Sequence, residues 1–162
     1  MTFTRRQWIG SGIAAVAALG VAGMAADSTE SDRDVLAAIV PVMLEGALPA
    51  NAEERQAAIV RTLDGFDVAV AGLTPSVQGE VAQLFSLLRI APLRIVATGI
   101  VGPWGRTLPE RIGQFLHDWR YSPLAKLRSA YDALHQLIFA AYYGNPKSWD
   151  AIHYPGPPVV KR

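Results

Sequence analysis

The stretch SPLAKLRSAYDALHQLIFAAYYG, residues 122–144, decides the fold. Its start, Ser122-Pro123, is typical of a helix N-terminus, and Gly144 or Asn145 is a suitable C-cap. Between them, apolar residues recur at intervals of three and four and form one stripe along about five helical turns: Leu124, Leu127, Tyr131, Leu134, Ile138 and Tyr142. The stretch therefore predicts a long amphipathic helix that buries one face against other helices.

Upstream, the same periodicity predicts three further long helices. The first runs from about Ser31 to Gly46, and Pro41 is expected to kink it. The second begins at Asn51, which with Glu54 has the spacing of a capping box. The third begins at Thr74-Pro75, a cap followed by proline at the first helical position. We expect its buried face to comprise Val77, Val81, Leu84, Phe85 and Leu88.

Two more helices lie between this region and the opening stretch. A short one is predicted from Pro92 to Thr98, ended by Gly99. Another begins at a second capping box, Thr107 with Glu110. Its expected apolar face comprises Ile112, Phe115, Leu116 and Trp119. The chain is thus predicted to be all-α: a compact bundle of five to six helices over residues 27–144, with a signal peptide at 1–26 and an irregular, proline-rich tail at 145–162.

The N-terminus has the three-part layout of an export signal. Arg5 and Arg6 precede Trp8 and Ile9, the order seen in twin-arginine signals, and an uncharged Ala/Gly-rich run follows. Small residues permit a cut after Ala25. The alternative is an uncleaved anchor, because a run of about 18–20 residues just suffices to span a bilayer. We therefore expect export to the periplasm by the twin-arginine route, with membrane association as the alternative.

The chemistry-bearing residues do not form a recognisable catalytic or cofactor motif. The chain of 162 residues has no cysteine, which excludes disulfides and thiolate metal sites. Its formal net charge of +1 does not favour nucleic acid. His117, His135 and His153 are regularly spaced, but of the two on predicted helices only His135 has a metal-ligand type, Asp132, three or four residues away on the same helix face. We predict no catalytic, cofactor-binding or metal-ligating residue, and hence an accessory protein rather than an enzyme.

Four segments carry a family resemblance: TRRQWI (4–9), LDGFDVAVAGLTPSVQGEVAQLFSLL (63–88), TGIVGPW (98–104) and FLHDWRYSPLAKLRSAYDALHQLIFAAYYGNPKSWDAIHYPGPP (115–158). Together they resemble the gluconate 2-dehydrogenase subunit 3 family. One departure is His153, where related tails more often have glycine before Tyr-Pro-Gly-Pro-Pro. The resemblance spans nearly the whole chain, and the tail is its most specific part.

The resemblance implies a non-catalytic small subunit that helps a periplasmic dehydrogenase to mature and carries it across the membrane. Its implied partners are a large FAD-containing catalytic subunit of the GMC type, acting on a sugar, polyol or alcohol, and the twin-arginine translocase. In several such enzymes a multihaem cytochrome c is a third subunit. The FAD is expected in the partner. A free-standing periplasmic helical binding protein is the alternative, and a small periplasmic enzyme a third.

The C-terminal tail is too aromatic for a solvated linker and too rich in proline for a helix. Prolines keep the backbone extended, and aromatic side chains dominate interface hot spots. We expect the partner interface to include Tyr142, Tyr143, Trp149, His153, Tyr154 and Pro155. The alternative is that Trp149 folds back and caps the bundle itself.

Overall fold

The computed structural model describes residues 30–149 and 154–156, and within these ranges the regular structure is entirely helical. Six α-helices follow one another: α1 (Asp32–Met43), α2 (Ala52–Ala71), α3 (Pro75–Arg89), α4 (Ala91–Thr98), α5 (Pro109–Arg120) and α6 (Ala125–Tyr143). Short 3-10 helices lie at Trp104–Arg106 and Pro146–Ser148. The predicted signal peptide, including Arg5, Arg6, Trp8 and Ile9, lies outside the described residues, as does His153.

Side-chain caps start the first two helices. The Ser31 backbone N–H donates to the Asp34 carboxylate at 2.8 Å, and the Asp34 N–H donates to Ser31 Oγ at 3.2 Å, which completes a capping box. At α2, Asn51 Oδ1 accepts from the N–H groups of Glu53 and Glu54 at 2.9 and 3.1 Å. Asn51 is therefore confirmed as the N-cap, although the return bond from the Asn51 N–H to the Glu54 side chain that would complete the predicted capping box is not formed. The two bonds to Asn51 Oδ1 satisfy amides that the first turn leaves unpaired.

Two predicted helix starts are wrong, and a proline explains the first. Thr107 does not cap α5, because Pro109 occupies the first helical position and Leu108 becomes the N-cap. The Thr107 hydroxyl instead donates to the Pro103 carbonyl at 2.9 Å. Likewise α6 begins at Ala125, and Ser122 Oγ accepts from the Leu124 N–H at 3.1 Å.

One helix end differs from its prediction and another matches it. Helix α1 ends at Met43, two residues after Pro41 and short of the predicted Gly46. Helix α4 ends at Thr98 as predicted, with Gly99 in the left-handed region at φ +71°. Glycine adopts this conformation without the steric cost that a Cβ would add.

Helix α1 lies at the centre of the bundle and contacts α2, α3, α5 and α6, while α6 packs along α2 and α5. Gly65 of α2 permits α6 to pack closely against α2, since a Cβ at this position would lie 3.1 Å from the Ala141 carbonyl oxygen. Trp104, Phe115 and Trp119 form an edge-to-face aromatic series with ring centroids 5.7 and 5.5 Å apart. These contacts join α5 and the loop before it to one core.

The predicted apolar faces hold in the helix interiors and fail near helix starts. All four predicted core residues of α5 are buried. Val77 is 39% exposed and Leu124 is exposed as well, although both were predicted to be buried. Each lies at or next to the first turn of its helix, where the chain enters from solvent. Leu84, Leu127 and Tyr131, which were also predicted to be buried, are half-buried.

Candidate partner-binding surface

Tyr142 belongs to the core rather than to a surface. Its side chain is 5% exposed, and its hydroxyl donates to the Ala47 carbonyl at 2.6 Å. Burial raises the pKa of this hydroxyl, Tyr143 adds to the rise and Arg61 opposes it. The prediction that Tyr142 contacts a partner therefore needs correction: as an apolar stripe residue it faces inwards and fixes the loop after α1.

Trp149 closes the C-terminal end of α6. Its indole Nε1–H donates to the Tyr143 carbonyl at 2.7 Å, which satisfies one of the carbonyls that a helix end leaves unpaired. The Tyr154 N–H donates to the Trp149 carbonyl at 3.0 Å, and the two rings meet edge-to-face at 5.3 Å. Trp149 is half-buried, while Tyr154 and Pro155 are exposed. The tail thus folds back on the helix end and still presents Tyr154 and Pro155 to solvent.

Gly156 has a steric role in this arrangement. Its φ is +92°, and a Cβ built there would lie 3.1 Å from the Trp149 ring. A side chain at this position would strain the backbone and press on the indole. The sequence Tyr-Pro-Gly therefore suits the close passage of the tail over Trp149.

A row of aromatic side chains follows the outer edge of α6. Tyr131, His135, Phe139 and Tyr143 are four residues apart, and all four are half-buried. His135 stacks on Phe139 with ring centroids 4.1 Å apart and planes 20° apart. The neighbouring pairs, Tyr131 with His135 and Phe139 with Tyr143, lie at 5.8 and 5.9 Å. Residues four apart on a helix are neighbours, so the rings form one continuous strip.

The end of α5 extends this strip. The Arg120 guanidinium carbon lies 5.4 Å from the centroid of the Tyr121 ring and 5.7 Å from that of Tyr131. His117 packs on Tyr121 at 4.7 Å. Tyr121 is 64% exposed, and Arg120 makes no ion pair within the described part of the chain. Arg120 therefore joins the two helices through cation–π contacts.

We call the combined surface the aromatic track: His117, Arg120, Tyr121, Tyr131, His135, Phe139, Tyr143, Trp149 and Tyr154. Each member contacts at least one other member through a ring contact, a cation–π contact or a hydrogen bond. Large half-exposed aromatic groups with an arginine among them are the composition of protein–protein interface cores. The track is the candidate functional site.

Sequence reasoning found only the C-terminal part of the track. It named Tyr143, Trp149 and Tyr154, assigned Tyr131 to the buried stripe, and gave His135 no role at an interface. The signal that it missed is the spacing of four from Tyr131 to Tyr143, which lies one position beside the buried stripe of Leu134, Ile138 and Tyr142. The contribution of Arg120 depends on how α5 meets α6.

The described residues offer little room for a small ligand. A cleft beside Arg61, Thr62, Tyr142 and Asn145 has a volume of about 20 Å³, enough for a water molecule. No group of three or more His, Asp or Glu side chains in residues 30–149 and 154–156 is arranged to hold a metal ion. His117 is exposed and His135 is stacked in the track. The surface rather than a cavity is where this part of the chain presents unusual chemistry.

Among the residues searched, 30–149 and 154–156, no single helix is long and apolar enough to cross a bilayer; α3 and α4 pass that test only as a pair, bent by 93° between them.

Comparison of the chain with models of protein families, with curated proteins and with solved structures finds no match in any of the three. The resemblance to the gluconate 2-dehydrogenase subunit 3 family therefore stays a prediction.

Proposed function

We propose that the chain is a non-catalytic small subunit and export chaperone of a periplasmic FAD-dependent dehydrogenase of the GMC type. Three features support the proposal: the resemblance over nearly the whole sequence, the twin-arginine pattern at Arg5 and Arg6, and the aromatic track. The track carries the docking part of the proposal. It is the surface on which we place the large subunit, whose substrate is a sugar, a polyol or an alcohol.

The track suits docking because its side chains are already ordered. Half-buried rings that stack on one another lose little conformational freedom when a partner covers them. Their exposed faces and edges supply apolar area, and tyrosine hydroxyls supply hydrogen bonds at the rim. Tyr121 at one end and Tyr154 at the other are the exposed tyrosines of the track, so we expect them to act as anchors.

The division of roles follows from the resemblance. The large subunit holds the FAD, and a multihaem cytochrome c is a third subunit in several such enzymes. The translocase binds the signal peptide, with Arg5, Arg6, Trp8 and Ile9 as the targeting residues. The complex then crosses the membrane folded and functions in the periplasm.

Co-purification from the native host tests the proposal. The tagged chain should bring down a yellow flavoprotein, and Tyr121→Ala with Tyr154→Ala should weaken that association by about tenfold or more. Val68→Ala is the matched control, because Val68 is also exposed but lies on α2. A chain that emerges alone and monomeric would favour the free-standing binding protein and contradict the subunit.

Export is tested separately. Replacing Arg5 and Arg6 by lysine should leave the activity of the partner enzyme in the cytoplasm, because the paired arginines are the mark of the twin-arginine signal. Unchanged periplasmic activity would show that the partner is exported without this chain.

A further inference from the structure

The stretch from α4 to the start of α5 exposes several large apolar side chains. Ile95 and Val96 lie on α4, Val101 follows in the loop, and Leu108 is the N-cap of α5. Val96, Val101 and Leu108 are 85%, 73% and 65% exposed. We call these four residues the corner surface. Such exposure costs free energy unless another group covers it.

Contacts within the corner fix its shape. Ile100 and Trp104 of the loop are buried, so the loop is anchored on both sides of Val101. Arg111 Nη2 donates to the Gly99 carbonyl at 3.5 Å, which joins the first turn of α5 to the end of α4. The packed loop therefore keeps the Val101 side chain in a fixed, exposed position.

The N-terminal end of the described domain is bonded to this same stretch of the chain. Glu30, the first described residue, accepts from Arg94 Nη1 at 2.5 Å and from the Trp104 backbone N–H at 2.5 Å. Arg94 is 4% exposed, so the contact lies inside the fold. The 29 residues before Glu30 therefore start from a point fixed between α4 and the loop that carries Val101.

We propose that the uncharged segment of residues 7–26 packs on the corner surface in the full chain. The segment is apolar and carries no charge, and Glu30, which follows it, is bonded to Arg94 and Trp104 of the stretch that carries the exposed side chains. This packing shields the segment and the corner surface from water until the segment is bound by another protein or removed. The inference concerns this chain alone and does not depend on the partner proposed above.

Cross-linking in the full chain tests the contact, because the chain has no cysteine of its own. Ala17→Cys is paired with Val96→Cys in one variant and with Val68→Cys in the control. Ala17 lies 13 residues before Glu30, so an unattached segment can reach about 45 Å and contact either position. We expect the pair with Val96 to form a disulfide about tenfold faster, because packing raises the local concentration above that of the tether alone.

A second variant keeps the test decisive. Val101→Glu adds a charge at an exposed position, so it should leave the helical circular dichroism unchanged while it slows cross-linking to Val96. It should also speed cleavage of the segment by elastase, which accepts small side chains. Val68→Glu should do neither. Equal rates to Val96 and Val68, or no effect of Val101→Glu, would overturn the inference. So would protection of the segment only when lipid vesicles are added, which would assign the corner to a membrane surface.

Discussion

Replacing Glu30 by alanine should strongly destabilise the domain, although Glu30 precedes the first helix. Its carboxylate is the ion-pair partner of Arg94 and the acceptor for the Trp104 amide. The Arg94 side chain is 5% exposed and the Glu30 side chain 18%. The Arg94 Nε atom is buried without a hydrogen-bond partner in the described structure, so the guanidinium is already incompletely satisfied. Glu30→Ala would leave a buried cation with no counter-charge.

The expected loss follows from the burial of the pair. Removing one partner of a buried ion pair costs about 3–5 kcal/mol, mostly because the other charge stays buried. Glu30 is partly accessible, so water can enter when it is removed, and we expect the lower end, about 3 kcal/mol. With a urea dependence of about 1.5 kcal/mol per molar, the unfolding midpoint would fall by about 2 M.

Urea unfolding followed by tryptophan fluorescence measures this loss, since Trp104 and Trp119 are buried. Arg33→Ala is the matched control. Arg33 lies 2.6 Å from Asp64, a similar distance, but those side chains are 47% and 63% exposed. We expect little or no shift of the midpoint for Arg33→Ala, because exposed pairs are screened by water.

A double variant separates charge burial from contact loss. Glu30→Gln with Arg94→Met removes both charges, keeps an acceptor for the Trp104 amide and preserves most of the volume. Its midpoint should lie close to that of the parent, within about 1 kcal/mol. If the double variant is as unstable as Glu30→Ala, or if Arg33→Ala costs as much, an uncompensated buried charge is not the cause.

Three further predictions concern single hydrogen bonds, made by Tyr142, Asp34 and Trp149. Tyr142→Phe should lower the free energy of unfolding by about 1 kcal/mol, because it removes the hydrogen bond to Ala47. Because burial raises the pKa of Tyr142, the parent protein should also lose stability as the pH rises above about 10. In alkaline urea titrations the variant should lose less stability than the parent. The bonds from Ser31 lower the pKa of Asp34, so its contribution is present above the ordinary carboxyl pKa and is lost as the pH falls through the lowered value; thermal melts of Asp34→Asn should depend less on acid pH. Trp149→Phe keeps the ring but loses the donor to the Tyr143 carbonyl, so amide exchange in the last turn of α6 should become faster while the rest of α6 is unchanged.

The helices could be predicted because their apolar spacing reports which face is buried. Ile112, Phe115, Leu116 and Trp119 are all buried as their spacing indicates. Val77 was misjudged because periodicity continues into the first turn of a helix, whereas burial requires a neighbour there. Thr107 was misjudged because two start signals compete within three residues, and the proline at position 109 decides between them.

The site could be predicted only where it is local in sequence. Trp149 and Tyr154 lie five residues apart in a segment whose composition is unusual. The contact of Arg120 with Tyr131 depends on the angle between α5 and α6, and the pair of Glu30 with Arg94 joins positions 64 apart. Neither pairing leaves a pattern in the sequence, because any exposed cation or carboxylate has many candidate partners. Long-range electrostatic contacts therefore required the structure.

The corner surface and the aromatic track include residues at opposite ends of α5. Leu108 and Arg111 are at its start, whereas His117 and Tyr121 are at its end. A helix of 12 residues is about 18 Å long, so both surfaces can be occupied at the same time. Substitutions this far apart normally act additively. Tyr121→Ala should therefore leave cross-linking at Val96 unchanged, and Val101→Glu should leave co-purification unchanged. Mutual effects would instead mean that α5 has two arrangements and that each surface favours one of them.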